Sequence, residues 1–256
     1  MRHWKRNAPR AIKAALVLLL ALLPLRADGL GDLHAVLKRL QGTDPVKATV
    51  EFTFWRQTSE EGGPVTLQGS VTTRAEDGPQ GLRIGWDHAT LLAAEAEQRA
   101  TSMAPSRQAP TAQLMKSLTA LDIAEHLHEG DTLDRLLLQA TLVETRPDTW
   151  EGKPATLLVF HTVPVITPPS LRRSVKEIIA QAQLWLGADG VPLAYRTDVT
   201  YKGSRFLIRF QGLQKEEIHF QRVGNRLVGA WASNEERQSG LGQSLDTRRS
   251  YRIVLN

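Results

Sequence analysis

Apolar and polar residues change period several times along the chain, and each change marks an element. From Asp32 to Gln41, Leu33, Val36, Leu37 and Leu40 recur at helical spacing. That predicts an amphipathic helix of about three turns, ended at Gly42. Beyond Thr43-Asp44-Pro45 the period falls to two. Val46, Ala48, Val50, Phe52 and Phe54 alternate with Lys47, Thr49, Glu51 and Thr53, the signature of a strand with one buried face. Glu60-Glu61-Gly62-Gly63-Pro64 reads as a turn into a second strand carrying Val65, Leu67, Gly69 and Val71. Asp77-Gly78-Pro79 leads to a third with Leu82, Ile84 and Trp86. Three meandering strands with one polar face predict an antiparallel sheet covered on one side.

The middle of the chain reads differently. Ala89 to Arg99 is rich in Ala, Leu and Glu and predicts a helix, and Thr101–Thr111, with Pro105 and Pro110, predicts an exposed loop. Gln113–Glu129 and Asp131–Leu138 predict two more helices, broken at Gly130, with Asp131 capping the second. Strands then resume at Gln139–Thr145 and Ala155–Val163, around the turn-rich stretch from Pro147 to Pro154. A proline-rich link, Val163 to Ser170, precedes Lys176–Leu186, and Ala188-Asp189-Gly190 signals a hairpin. Val191–Tyr201, Arg205–Gln211, Glu216–Val223, Leu227–Arg237 and Thr247–Leu255 follow, with turns at Lys202-Gly203-Ser204 and Gly224-Asn225. The fold class expected is α+β: one large, strongly curved antiparallel sheet of roughly ten strands, with short helices on its concave side.

The opening segment is of another kind. Arg2, Lys5, Arg6, Arg10 and Lys13 precede an apolar run from Ala14 to Leu23, then Pro24-Leu25-Arg26-Ala27. A basic start, a short apolar stretch and a small residue at the exit compose a secretory signal, with cleavage expected after Ala27. The run is about half the ~20 apolar residues of a spanning helix; an uncleaved N-terminal anchor is the alternative. Residues 1–27 are therefore expected to be a signal peptide, 28–256 a single domain, and the location periplasmic. This changes the charge picture. The first 27 residues hold six Lys/Arg and no acid, so of the chain's 32 basic and 27 acidic residues the remainder keeps 26 and 27, a net charge of −1. The basic pI belongs to the leader, and a nucleic-acid partner is not expected. There is no cysteine, so neither disulfides nor a lipobox anchor are available.

One stretch carries a family likeness. Ala182-Gln183-Leu184-Trp185-Leu186-Gly187-Ala188-Asp189-Gly190-Val191-Pro192-Leu193, followed by Tyr195-Arg196 to Tyr201, is similar to the strand–turn–strand of the periplasmic lipoprotein-carrier fold. That group includes the outer-membrane lipoprotein chaperones and the N-terminal domain of an anti-sigma-factor regulator. The order of elements over residues 30–256 resembles it too. The resemblance implies a half-open barrel whose concave face binds acyl chains, with helices as a lid. The middle helices and the Thr101–Thr111 loop are longer than that pattern, and no individual binding residue transfers.

No catalytic motif emerges. Glu125-His126-Leu127-His128-Glu129 is the densest potential ligand cluster, but histidines two apart point to different sides of a helix, whereas zinc helices use i and i+4. A solvated helix end is the expected reading. His34, His88, His161 and His219 are isolated in sequence. Glu216-Glu217 and Glu235-Glu236 are neighbours that face opposite sides of a strand, and read as surface charges. There is no G-x-S-x-G elbow, P-loop or G-x-G-x-x-G; Gly240-Leu241-Gly242 is only a glycine loop. The expectation is no enzyme, no metal and no cofactor. The candidate groove residues are apolar: Phe52, Phe54, Trp86, Trp185, Tyr195, Phe206, Phe210, Phe220 and Trp231. Each alone reads as core; together they would line a site for an acyl chain, a lipid or a lipidated protein. The alternatives are an envelope sensor module that binds a protein partner and, more remotely, a hydrolase built from distant residues.

Overall fold

The computed structural model describes residues 29–60, 63–104, 108–162, 173–205, 208–240 and 242–256. The expected leader, the turn residues Glu61 and Gly62, the proline-rich link at 163–170 and the candidate Phe206 lie outside the described residues.

Ten strands form one sheet: β1 (Val46–Glu60), β2 (Gly63–Asp77), β3 (Arg83–Trp86), β4 (Thr141–Trp150), β5 (Lys153–His161), β6 (Val175–Leu186), β7 (Pro192–Arg205), β8 (Ile208–Val223), β9 (Arg226–Gly240) and β10 (Gln243–Leu255). Their order is β3-β2-β1-β10-β9-β8-β7-β6-β5-β4, with every pair antiparallel. The sheet is curved and does not close. Sheet neighbours are chain neighbours except where β1 meets β10, which joins the first meander to the second and leaves β3 and β4 at opposite ends.

Five helices complete the α+β fold: α1 (Gly29–Arg39), α2 (His88–Met103), α3 (Pro110–Ser117), α4 (Ala120–Leu127) and α5 (Glu129–Leu137). α3 lies against β2, α4 and α5 against β9, and α1 against α5. The even positions of β1 face these helices, as the period-two pattern requires. Val50, Phe52, Leu37, Leu127 and Leu227 are all fully buried. They belong to one core that also takes Leu33, Leu114, Ile123, Leu133, Phe160, Leu184, Tyr195, Ile218 and Tyr251.

Several boundaries differ from the sequence pattern. The helix expected over Gln113–Glu129 is split at Leu118-Thr119 into α3 and α4, because Thr119 and Asp122 form a reciprocal capping box. The next break falls at His128, not Gly130, and Asp131 sits in the first turn of α5 rather than capping it. Gly130 is helical because α5 crosses the end of α1 there: a Cβ would lie 2.6 Å from the Leu40 carbonyl oxygen. β4 runs through Pro147 to Trp150, so the turn shrinks to Glu151-Gly152, both at positive φ. Lys202-Gly203-Ser204 is strand, not turn, with Arg205 ending β7, and the stretch from Ile208 to Gln211 runs on through Glu216–Val223 as the single strand β8. The glycines explain this. The ring of Phe210 lies over Gly203 and that of Tyr201 over Gly212, each in space a Cβ would fill. These are aromatic–glycine cross-strand pairs, Gly203 with Phe210 and Tyr201 with Gly212.

Candidate functional site

The concave face divides in two. Where β1 and β9 begin and β10 ends, helices cover the sheet and side chains fill the space between. At the opposite strand ends, β7–β10 and β1 extend past the helices. There a cavity of about 480 Å³ is lined by Tyr201, Gly212, Gln238 and Leu245, which share the face of Phe52, and by Gln57, Leu213, Arg237 and Asp246, which alternate with them along the strands. A second, of about 430 Å³, shares Lys202, Gln211 and Ser239 with it and adds Arg209 and Phe210.

The sequence candidates separate across this geometry. Phe52, Phe54 and Tyr195 are buried on the helix-covered face, with Phe52 stacked at 5.0 Å on Tyr251 and 6.2 Å from Phe54. Trp86 and Phe220 pack against the same core half-buried. Phe210 alone of the eight described candidates lines the open end. Trp185 and Trp231 are on the other face of the sheet. Trp185 packs with Leu157, Val159 and Ala194, while its neighbour Leu184 belongs to the main core. Trp150, half-buried, joins that outer face, stacking on Trp185 at 4.8 Å and edge-on to His219 at 5.1 Å; His219 in turn stacks on Trp231 at 4.7 Å. The Trp185 indole N–H donates to Asp148 Oδ2 at 3.0 Å. Arg196 lies over the Trp185 ring and donates to Glu217, whose other oxygen is 2.7 Å from His219 Nε2.

The histidine cluster is not a solvated helix end. His126 and Glu129 are buried, with His126 Nδ1 and Glu129 Oε1 2.8 Å apart and the His126 ring 4.7 Å from Tyr251. His128 turns to the other side, as the spacing required, and reaches Asp77 Oδ2 at 2.9 Å. Asp77 also accepts from Arg226 Nη1 at 2.6 Å, and Arg226 is 1 % exposed. This ion pair ties the end of β2 to the start of β9 beneath the helices. Another histidine–carboxylate pair, His34 with Asp134, fastens α1 to α5.

Glu216 is the polar residue that sequence reasoning placed wrongly. It and Glu217 do face opposite sides, but Glu216 is half-buried on the helix-covered face, not a surface charge. Burial pushes its carboxyl up to about 7, with the negative charges of Glu129 and Glu125 adding to the shift and His126 opposing it. Burial raises Glu129 as well, against the pull of the His126 hydrogen bond. His126 would be lowered by burial, but its bond to Glu129 and the surrounding carboxylates raise it. Burial also lifts the Tyr251 phenol to about 12 and the Tyr195 phenol further. Only the cross-strand neighbours Thr197 and Asn234, both uncharged, could have signalled this pocket in sequence. Among the described residues, no group of three or more His, Asp or Glu could hold a metal ion, and no helix is long and apolar enough to cross a membrane.

No protein-family model matches the chain, and no curated protein matches its sequence. Among solved structures, the MucA/MucB complex of Pseudomonas aeruginosa is similar over 87% of this chain and 94% of its own, at 10% identity and a TM-score of 0.22. A likeness that slight assigns neither family nor activity.

Proposed function

We propose that the chain is an exported, non-catalytic binding module that seats a segment of a partner protein on the uncovered half of its concave face. One observation carries this: the covered half is filled by its own side chains, while the open half holds a cavity of about 480 Å³ whose lining is mostly apolar and includes side-chain amides. Ligand sites span about 300–1,000 Å³ and are lined mostly by apolar groups when the ligand is apolar. Most of the exposed lining is apolar, and Gln57, Gln211 and Gln238 within it offer side-chain amides to the main chain of a polypeptide, which an acyl chain would leave unpaired. The basic start and short apolar run of residues 1–27 support export.

A second reading, an acyl chain in the same place, has its own support. Ile178 pairs with Tyr201 across β6 and β7 and is 40% exposed beside the cavity's aromatic floor. The two readings part in one experiment. A photo-cross-linking residue at Leu245, with one at Leu133 as buried control, is exposed to envelope extract, and the purified chain is weighed by native mass spectrometry. A protein adduct at Leu245 alone, not competed by fatty acid, is the expected result. Co-purifying lipid that competes away the adduct would overturn it in favour of the acyl chain.

A further inference from the structure

The two ends of the sheet are built differently. β4, at one end, carries Glu144, Arg146, Pro147 and Asp148 and shifts register between Leu142 and Glu144. Charges, proline and bulges are the devices that stop an edge strand from pairing with another chain. β2, near the other end, has none of them where it matters. β3 pairs only with Thr73–Glu76 of β2, and no described strand lies beside the stretch from Val65 to Thr72. That stretch, Val-Thr-Leu-Gln-Gly-Ser-Val-Thr, contains no charge and no proline.

The direction of its backbone groups is fixed. The Asn256 N–H donates to the Lys47 carbonyl at 2.9 Å, so odd residues of β1 turn toward β10 and even ones toward β2. The β1–β2 register is unbroken and pairs even with odd. The N–H and C=O groups of Thr66, Gln68, Ser70 and Thr72 therefore point away from β1. Gln108 confirms it, donating its side-chain N–H to the Thr66 carbonyl at 3.3 Å. The side chains of these four residues are exposed, while Leu67 and Val71 between them are buried and Leu114 covers Gly69.

We propose that the outward edge of β2 from Thr66 to Thr72 is a strand-addition site that takes an extended, uncharged segment of a partner protein as a further strand of the sheet. Main-chain hydrogen bonds would supply affinity, and alternate side chains of the segment would lie either beside α3, which covers Leu67 and Val71, or in line with the exposed Gln68 and Ser70. This rests on the protein-partner reading and deepens it. Thr66 pairs with Gln57, which lines the open cavity, so edge and cavity share one end of the sheet.

The test uses the full chain and a synthetic eight-residue peptide of alternating valine and threonine with a lysine at each end. In the free chain, the amides of Gln68, Ser70 and Thr72 exchange with deuterium fast, and those of Leu67 and Val71 slowly. The peptide slows the first set by about tenfold or more. Ser70→Pro removes one outward N–H without touching the β1 ladder, and weakens the peptide by about tenfold. Ser70→Lys, which keeps the backbone intact, does the same should the proline variant misfold. Slow exchange of Gln68, Ser70 and Thr72 in the free chain, protection at β4 instead, or undiminished binding by both variants would overturn the proposal. So would a concentration-dependent dimer that Ser70→Lys dissociates, since the occupant would then be a second copy. Loss of the Leu245 adduct with edge binding intact would sink the concave-face reading alone.

Discussion

Glu216 shows how one residue can set the pH response of the fold. Its folded pKa of about 7 lies above the ordinary carboxyl value of 4.5, so the folded chain holds a proton that the unfolded chain releases. The stability from this group is therefore complete below about pH 4.5 and is lost as pH rises through 7. Thermal unfolding should show a midpoint that falls across this window and levels off beyond it. Glu216→Gln should flatten that slope and exceed the parent at about pH 8, by on the order of 3 kcal/mol. An unchanged slope in the variant would assign the effect to His126 and Glu129, which titrate beside it. The Asp77–Arg226 pair behaves otherwise. Asp77→Ala strands a buried guanidinium whose Nε already has no partner, and should cost about 3–5 kcal/mol in urea unfolding at neutral pH. Both residues were invisible as a pair in sequence, because 149 positions separate them.

At the scale of elements, periodicity was a sufficient guide wherever one face is buried and the other wet. β1, β2 and α1 follow directly from alternation or from the i, i+3, i+4 spacing of Leu33, Val36, Leu37 and Leu40. It misled where tertiary contact overrides local preference. Gly130 and Gly203 look like breakers but are sites of close approach, to Leu40 and to the Phe210 ring. The split between α3 and α4 rests on one threonine. Thr119→Ala removes the capping box and should destabilise the fold by about 1 kcal/mol, with the loss of helical signal confined to Ala120–Leu127. Gly212→Ala tests the aromatic–glycine pairing: its Cβ would meet the Tyr201 ring, so ring displacement and a loss of about 1–3 kcal/mol are expected. The aromatic candidates failed to form a single wall for a related reason. Residue type alone does not say which face a strand position takes, and adjacent Leu184 and Trp185 take opposite ones.

For the whole molecule, the division into a packed half and an open half makes a prediction about cooperativity. The helices add burial over the beginnings of β1 and β9 and, through α3, over β2 as far as Gly69, so Phe52, Leu227 and Ile253 lie in the packed half. The distal ends of β7 to β10 are held by their ladders, with Tyr201, Phe210 and Leu245 as their apolar cover. Local opening follows buried apolar contact, since amides with little of it exchange through small fluctuations rather than global unfolding. Hydrogen exchange should therefore be graded along the strands: amides near Ala194, Ile218 and Ala232 exchange only with global unfolding, and those near Tyr201, Gln211 and Gln238 exchange earlier. A ligand seated over Tyr201 and Leu245 would raise the second group toward the first. Destabilising the helical cap with Asp77→Ala would lower the first group and leave the second nearly unchanged. Uniform exchange along β8 would mean that the two halves unfold as one unit, and that the open end is as rigid as the covered one.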